Sequence, residues 1–194
     1  MQQIQHEHPE ATVEVWGMDE HRLGLKPIMR RVWVERGEPP IAKVHWRYQW
    51  LWLYGFVQPE TGETYFWILP KVSITLFDKV LADFARVFEV GKNKQVILTI
   101  DQAGWHTSKK VQVPEGLHLE FMPSHSPELQ PAERLWPLIN EPIANRSFQN
   151  LNELEELLFQ RCQVLLKQPS LIKGITCFHW WPKTKSISFR HSRN

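Results

Sequence analysis

Asp101 ends an apolar run from Gln95 to Ile100 and opens the segment DQAGWH, while Glu133 lies just inside a helix start that reads SPELQPAERLW. With Asp19, which follows a first alternating strand, these make three acids at element ends, where carboxylates from distant parts of a chain can meet. Converging carboxylates repel one another unless cations sit between them, and hard oxygen ligands of this kind favour Mg²⁺ or Mn²⁺. Two such ions about 4 Å apart stabilise both the attacking and the leaving oxygen of an in-line phosphoryl displacement. Phosphodiester chemistry is the reaction class that such a trio suits. Taken singly, each acid is more often structural: Asp at a strand end serves as a turn residue or cap, and Glu in a first helical turn answers the dipole. Glu20 competes with Asp19 for its role, although strand alternation turns the two side chains to opposite sides. Glu128 falls in the loop before the helix and faces solvent.

The elements that must position these acids are strands first and helices later. Thr12 to Gly17 and Arg31 to Glu35 alternate apolar and polar residues, as half-buried strands do. Strands from Gln49 to Val57 and from Thr64 to Leu69 are joined by Gln58-Pro59-Glu60-Thr61-Gly62-Glu63, a turn with both Pro and Gly, so the chain begins as an antiparallel meander. From Thr75 the period becomes helical, with Leu76, Phe77, Val80, Leu81, Phe84, Val87 and Phe88 on one face and Gly91 placed as the stop. Gln95 to Ile100 is a β-branched run suited to a strand covered on both faces. Leu117 to Met122 forms a further strand, Pro131 to about Asn145 a helix with Pro in its first turn, and Asn150 or Leu151 to about Leu166 the last helix. Meander strands followed by βα units make a mixed α/β pattern, in the order found in ribonuclease-H-like domains, with helices on both faces of a mixed sheet.

Composition bounds the rest. At 194 residues and 42% hydrophobic content the chain can bury a sizeable core, and one domain spans 1–194, its core at about 11–168. A net charge of +2 permits a nucleic-acid partner without demanding one. Lys183, Lys185, Arg190, His191 and Arg193 form a basic tail over about 182–194, more often a solvated terminus than a binding arm. Cys162 and Cys177 have no disulfide or zinc spacing and read as small core residues, pointing to a reducing, cytoplasmic setting. There is no secretory signal, and the most apolar stretch, Trp46 to Val57, is too short and interrupted to span a bilayer. Trp16, Trp33, Trp46, Trp50, Trp52 and Trp67 fall in or beside the meander strands, where cross-strand packing favours large aromatics. Trp105 differs by sitting in the loop after Asp101, where it either packs or stacks on a base or sugar. Trp136, three residues after Glu133, anchors its helix to the sheet. Lys109, Lys110, Arg134 and Arg146 are placed for phosphate contacts, or for answering a helix dipole.

Three blocks of the chain resemble the catalytic domain of bacterial insertion-sequence transposases of the mariner superfamily, the DDE endonucleases with a ribonuclease-H-like fold. They are MDEHRLGLKP with RRVWVERGEPP, then DQAGWHTSKKVQVPEGLHLEFMPSHSPELQPAERLW, and finally the helix beginning LNELEELL with a closing Trp near ITCFHWW. The resemblance covers nearly the whole chain, and the 31 residues between Asp101 and Glu133 are close to the spacing typical of the superfamily. It implies that Asp19, Asp101 and Glu133 are the catalytic, metal-binding triad for two Mg²⁺ ions, with Mn²⁺ able to substitute. Metal on Asp19 and Asp101 would activate water for nicking and then the freed 3′-hydroxyl for attack on target DNA, with Glu133 completing the second site. It places His106 at the rim near the scissile phosphate, or equally as a locally bonded polar residue, with Gln102 and Trp105 also near the site. The family more often has Asn at Gln102 and Gln130, a change of reach that tunes positioning without losing hydrogen bonding.

The resemblance also implies partners: transposon-end and target DNA, a homodimer, and a helix-turn-helix module that such transposases carry before the catalytic domain and that here is expected from elsewhere, as a separate polypeptide, a second reading frame joined by frameshifting, or the missing part of a truncated element or of a longer chain. The setting is cytoplasmic and nucleoid-associated, with no membrane. The rival readings are a stand-alone ribonuclease-H-like DNA nuclease and an inactive DNA-binding or assembly remnant.

Overall fold

The structure is a computed structural model and describes residues 1–31, 33, 35–37, 47–124 and 126–182. A short helix α1 (Gln2–Glu7) leads into β1 (Thr12–Gly24), followed by β2 (Trp50–Gln58), β3 (Glu63–Leu69), α2 (Ile74–Val87), β4 (Lys94–Ile100) and β5 (Leu117–Phe121). Two 3₁₀ segments, Pro127–Leu129 and Pro131–Leu135, precede α3 (Trp136–Asn140), α4 (Leu151–Leu166) and α5 (Pro169–Thr176). The five strands form one sheet in the order β3-β2-β1-β4-β5, the first three antiparallel and the last two parallel to β1. This is the mixed, ribonuclease-H-like sheet that the order of elements predicts.

β1 is longer than its alternation suggests, because its two halves have different partners. Thr12 to Gly17 pair with β4, and Gly17 to Gly24 pair with β2, so the strand continues well beyond the point where β4 ends. Asp19 therefore lies within β1 opposite Gly55, not after the strand. Of the expected strand from Arg31 to Glu35, the described residues Arg31, Trp33 and Glu35 join no strand, and 32 and 34 lie outside the described residues.

Alternation sends the two faces of the sheet to separate cores. Trp16, Met18, Tyr54, Phe56, Val96, Leu98 and Ile100 pack on Phe77, Val80, Leu81 and Phe84 of α2. On the other face Leu23, Leu51, Leu53 and Val57 pack on the 3₁₀ segment, α3, α4 and α5. Ser73 caps α2 by accepting from Leu76 N–H at 3.3 Å, and Asn150 caps α4 by accepting from Glu153 N–H at 3.0 Å.

The expected helix from Pro131 to about Asn145 is instead a 3₁₀ turn, one short α-turn and a loop. Pro137 and Pro142 account for the break, since each lacks an N–H and crowds the preceding turn. α2 ends at Val87, before Gly91, and the left-handed residue that reverses the chain is Glu89 (φ 53°). Trp16 is core, whereas Trp33 is fully exposed and Trp50 partly so; Trp46 and the basic tail lie outside the described residues. Cys162 is buried and Cys177 half-buried, both unpaired.

Candidate active site

Gly17 is the last residue of β1 to pair with β4, opposite Thr99, and two residues further on Asp19 and Asp101 fall side by side. Both continue the face that carries Val13, Val15 and Ile97. The 3₁₀ segment Pro131–Leu135 is laid across this face by Gln130, whose Nε2 donates to Met18 O at 2.8 Å and Thr99 O at 3.3 Å while its Oε1 accepts from Ala132 N–H. One amide thereby ties the segment to β1 and β4 together. The approach is so close that a Cβ at Gly17 would sit 2.5 Å from Gln130 Oε1 and 2.6 Å from Pro131 Cγ.

Asp19, Asp101 and Glu133 line one cavity of about 380 Å³, with Gln102, Gln130, Met122 to Ser124, Ser126 and Pro127 completing its described wall. No Lys, Arg or His is among its described lining residues. The electrostatic result is plain. Burial, with Glu133 and Glu20 nearby, pushes the Asp19 carboxyl up to about 7, although Trp136 Nε1 donates to its Oδ2 at 2.8 Å. Burial and the charge of Asp101 raise Glu133 as well, against a hydrogen bond with Asp19. Asp19 and Glu133, with no basic group among the described residues of the wall, form together with Asp101 an all-oxygen donor set that fits a divalent ion such as Mg²⁺ or Mn²⁺.

Asp101 is the exception, held below the usual carboxylate range by the hydrogen bond from His106. Its Oδ1 meets His106 Nδ1 at 2.7 Å and accepts from Ala103 N–H at 3.0 Å. His106 Nε2 meets Glu20 Oε1, also at 2.7 Å. Two acceptor-only carboxylates require protons on both ring nitrogens. Burial alone would lower the imidazole, but the bonds to Asp101 and Glu20 outweigh it and raise it to about 9. Potential ligand atoms of Glu20, Asp101 and His106 lie within 4.8 Å of one another. The 2.7 Å contacts are hydrogen bonds that occupy those atoms, so this group is an internal ion triad.

The other expected site residues divide. Gln102 lines the cavity and donates to Met122 O at 2.8 Å. His106 is buried beneath the loop, not placed at the rim. Trp105 is half-buried, donates to Glu20 Oε1 at 3.2 Å and meets Trp52 edge to face. Lys109, Lys110 and Arg134 are exposed and outside the cavity wall, with Arg134 over the ring of Phe178. Glu128 is exposed, in the first 3₁₀ segment. Sequence reasoning missed the role of Glu20. Alternation placed it on the far face, and nothing local showed that His106 would reach round the end of β4 to meet it. Trp136 does anchor its segment, and it also carries the hydrogen bond to Asp19. Gly55 opposite Asp19 was its available signal, because a Cβ there would sit 2.7 Å from the indole ring.

Comparison with known proteins gives the family. Residues 14–155 match the DDE superfamily endonuclease family, and the chain belongs to it. It is 30% identical over 132 residues to the uncharacterised protein y4pE/y4sA of Sinorhizobium fredii, covering 68% of this chain and 96% of that protein. The fold is similar to the Mos1 mariner transposase paired-end complex with Mn (TM-score 0.57, 14% identity, 85% of this chain and 56% of that one). The Mos1 strand transfer complex gives 0.56 at 15% identity, with 84% and 54% covered. The chain thus spans little more than half the length of these Mos1 chains. Among the described residues no helix is long and apolar enough to cross a membrane.

Proposed function

We propose that this chain is the catalytic domain of an insertion-sequence transposase, with Asp19, Asp101 and Glu133 as its metal-binding catalytic triad. The observation that carries this reading is the cavity they share: three acids from three elements, no basic residue in its described wall, in a member of the DDE endonuclease family. Two Mg²⁺ ions, or Mn²⁺ in their place, would supply Lewis-acid activation of the attacking oxygen and neutralise charge at the leaving oxygen when bound. Asp19 within β1 and Asp101 just past the end of β4 hold one side of the site, and Glu133 closes it from the 3₁₀ segment. Trp136 orients Asp19 through Oδ2, and Gln130 fixes the distance between the segment and the sheet.

In this reading the substrates are transposon-end and target DNA, nicked by water and then joined through the freed 3′-hydroxyl. Lys109 and Lys110, exposed beyond the Asp101 loop, are placed to meet phosphates. A homodimer and a helix-turn-helix DNA-recognition module are the further partners, and the nucleoid is the setting. Incubating the chain with Mn²⁺ and duplex DNA bearing the element's ends tests the proposal. Nicking is expected, and Asp101→Asn, folded by circular dichroism, should lack it. A wild-type chain that neither binds Mn²⁺ nor nicks DNA overturns it.

A further inference from the structure

Glu20 is outside the cavity, yet its side chain is only 4% exposed, on the face of β1 that packs against α2. Burying an anion is costly unless it is paired, and an apolar residue of similar volume would pack such a place at least as well. The pairing is specific. Glu20 Oε1 takes His106 Nε2 at 2.7 Å and Trp105 Nε1 at 3.2 Å, both from the loop that follows β4. The ring of Phe77 lies 4.6 Å from that of His106, so the imidazole is packed as well as bonded. Its other nitrogen reaches Asp101 Oδ1, which also receives Ala103 N–H. Two donors thus fix one oxygen of Asp101 and leave Oδ2 as the oxygen available to a cation.

We infer that Glu20 is a positioning residue for Asp101, acting from the opposite face of the sheet through His106. Without it, the imidazole keeps one carboxylate partner instead of two, and the Asp101 loop loses both struts that tie it to β1. The carboxylate can then turn, and a cation must order it on binding. Residues that orient a ligand in this way typically change metal affinity by about 10–100-fold. The inference rests on the cavity being a divalent-metal site, as proposed above.

The test is a Mn²⁺ titration of the full metal-free chain, followed by the electron paramagnetic resonance of free Mn²⁺, with thermal unfolding and nicking measured alongside. Glu20→Leu should remain folded, since apolar side chains of the sheet and α2 surround the site, although the buried Tyr54 hydroxyl loses this carboxylate along with His106 and Trp105, and it should bind Mn²⁺ about 10–100-fold more weakly. Nicking should need correspondingly more Mn²⁺ and approach the wild-type rate at saturation. Glu20→Gln keeps an acceptor oxygen for His106 and Trp105, so it should recover most of the affinity while still showing a measurable shift. Glu20→Leu combined with His106→Leu should bind no more weakly than His106→Leu alone, because both act by one route. Wild-type Mn²⁺ affinity in Glu20→Leu, or full additivity in the double variant, overturns the inference. Should Glu20→Leu fail to fold, wild-type affinity in Glu20→Gln does so. A wild-type chain that binds no Mn²⁺ instead overturns the reading of the cavity, and the inference falls with it.

Discussion

Asp19 and Glu20 are neighbours on β1 and face opposite sides of the sheet, and their charges are managed in opposite ways. Glu20, its side chain only 4% exposed, has a cation of its own in His106 and a second donor in Trp105. Asp19 faces Glu133 and Asp101 in a cavity with no described basic group, and its carboxyl is driven up to about 7. Among the described residues, one face pairs its buried charge within the chain, and the other gathers carboxylates with no basic group in its wall, as the proposed cation site requires. Asp101 belongs to both, with one oxygen committed to His106 and the other left for the cavity. A structural charge network and the proposed catalytic one are therefore separated by a single residue of strand alternation.

Removing an acid from each face would break this comparison most sharply. Glu133→Gln should lower DNA nicking by about 10³-fold or more, because a metal site contributes several kcal/mol to the transition state. The metal-free Glu133→Gln protein should nevertheless melt higher than wild type, since a repelling charge beside Asp19 is gone. A melting temperature that falls along with activity would show that the hydrogen bond between Glu133 and Asp19 outweighs their repulsion. The next largest effect is expected at Gly17. Gly17→Ala puts a methyl against Gln130 and Pro131 and should cost about 1–3 kcal/mol by overpacking. Nicking should suffer as well, because Glu133 moves with the displaced segment. Denaturant unfolding and single-turnover nicking on the same variant measure both.

The legible parts of the molecule were those fixed by short-range pattern. The α4 bounds follow from apolar spacing and from Asn150 as cap. The strands around Gln58 to Glu63 follow from alternation and a Pro-Gly turn. Asp101 was visible because a continuous apolar strand stops there. What escaped depended on partners distant in sequence. The length of β1 is set by β2 and β4 pairing with different halves of it, which a strand's own residues do not encode. The His106 to Glu20 contact spans 86 positions, and only the parallel register of β1 and β4 brings the pair together. The proline-broken course of the segment from Pro131 to Asn145 was the one local feature that could have been read, from Pro137 and Pro142.

The two faces should also differ in how pH acts on them. Asp19 has a raised carboxyl, so the folded chain holds a proton that the unfolded chain has already lost between about 3.8 and 7. Stability from this group is fully present below that window and declines as pH rises through it. His106, raised from 6.5 to about 9, contributes stability that is full below 6.5 and is lost as pH rises to about 9. The metal-free protein should thus melt progressively lower from about pH 4 to pH 9, in two stages. Each kcal/mol is worth about 2–4 °C in a chain of this size. Asp19→Asn should flatten the lower stage and leave the upper one, and His106→Leu the reverse. Saturating Mn²⁺ should shrink only the lower stage. Loss of both stages in Asp19→Asn would mean that the faces titrate as one network and that the contrast drawn between them is false.

The smallest effects are expected at exposed cations. Lys109 and Lys110 stand free beyond the Asp101 loop, whereas Arg134 lies over the Phe178 ring. Removing a lysine that neutralises one phosphate lowers the slope of log affinity against log salt by roughly 0.9 on duplex DNA, independently of sequence. Lys109→Ala and Lys110→Ala should each reduce that slope by up to about 1, with nicking at saturating DNA unchanged. Arg134→Ala should leave the slope as it is, because its side chain is directed to Phe178. If Arg134→Ala alone flattens the salt dependence, DNA approaches over the α5 side of the site, and the Asp101 loop with its two lysines is not the face that meets it.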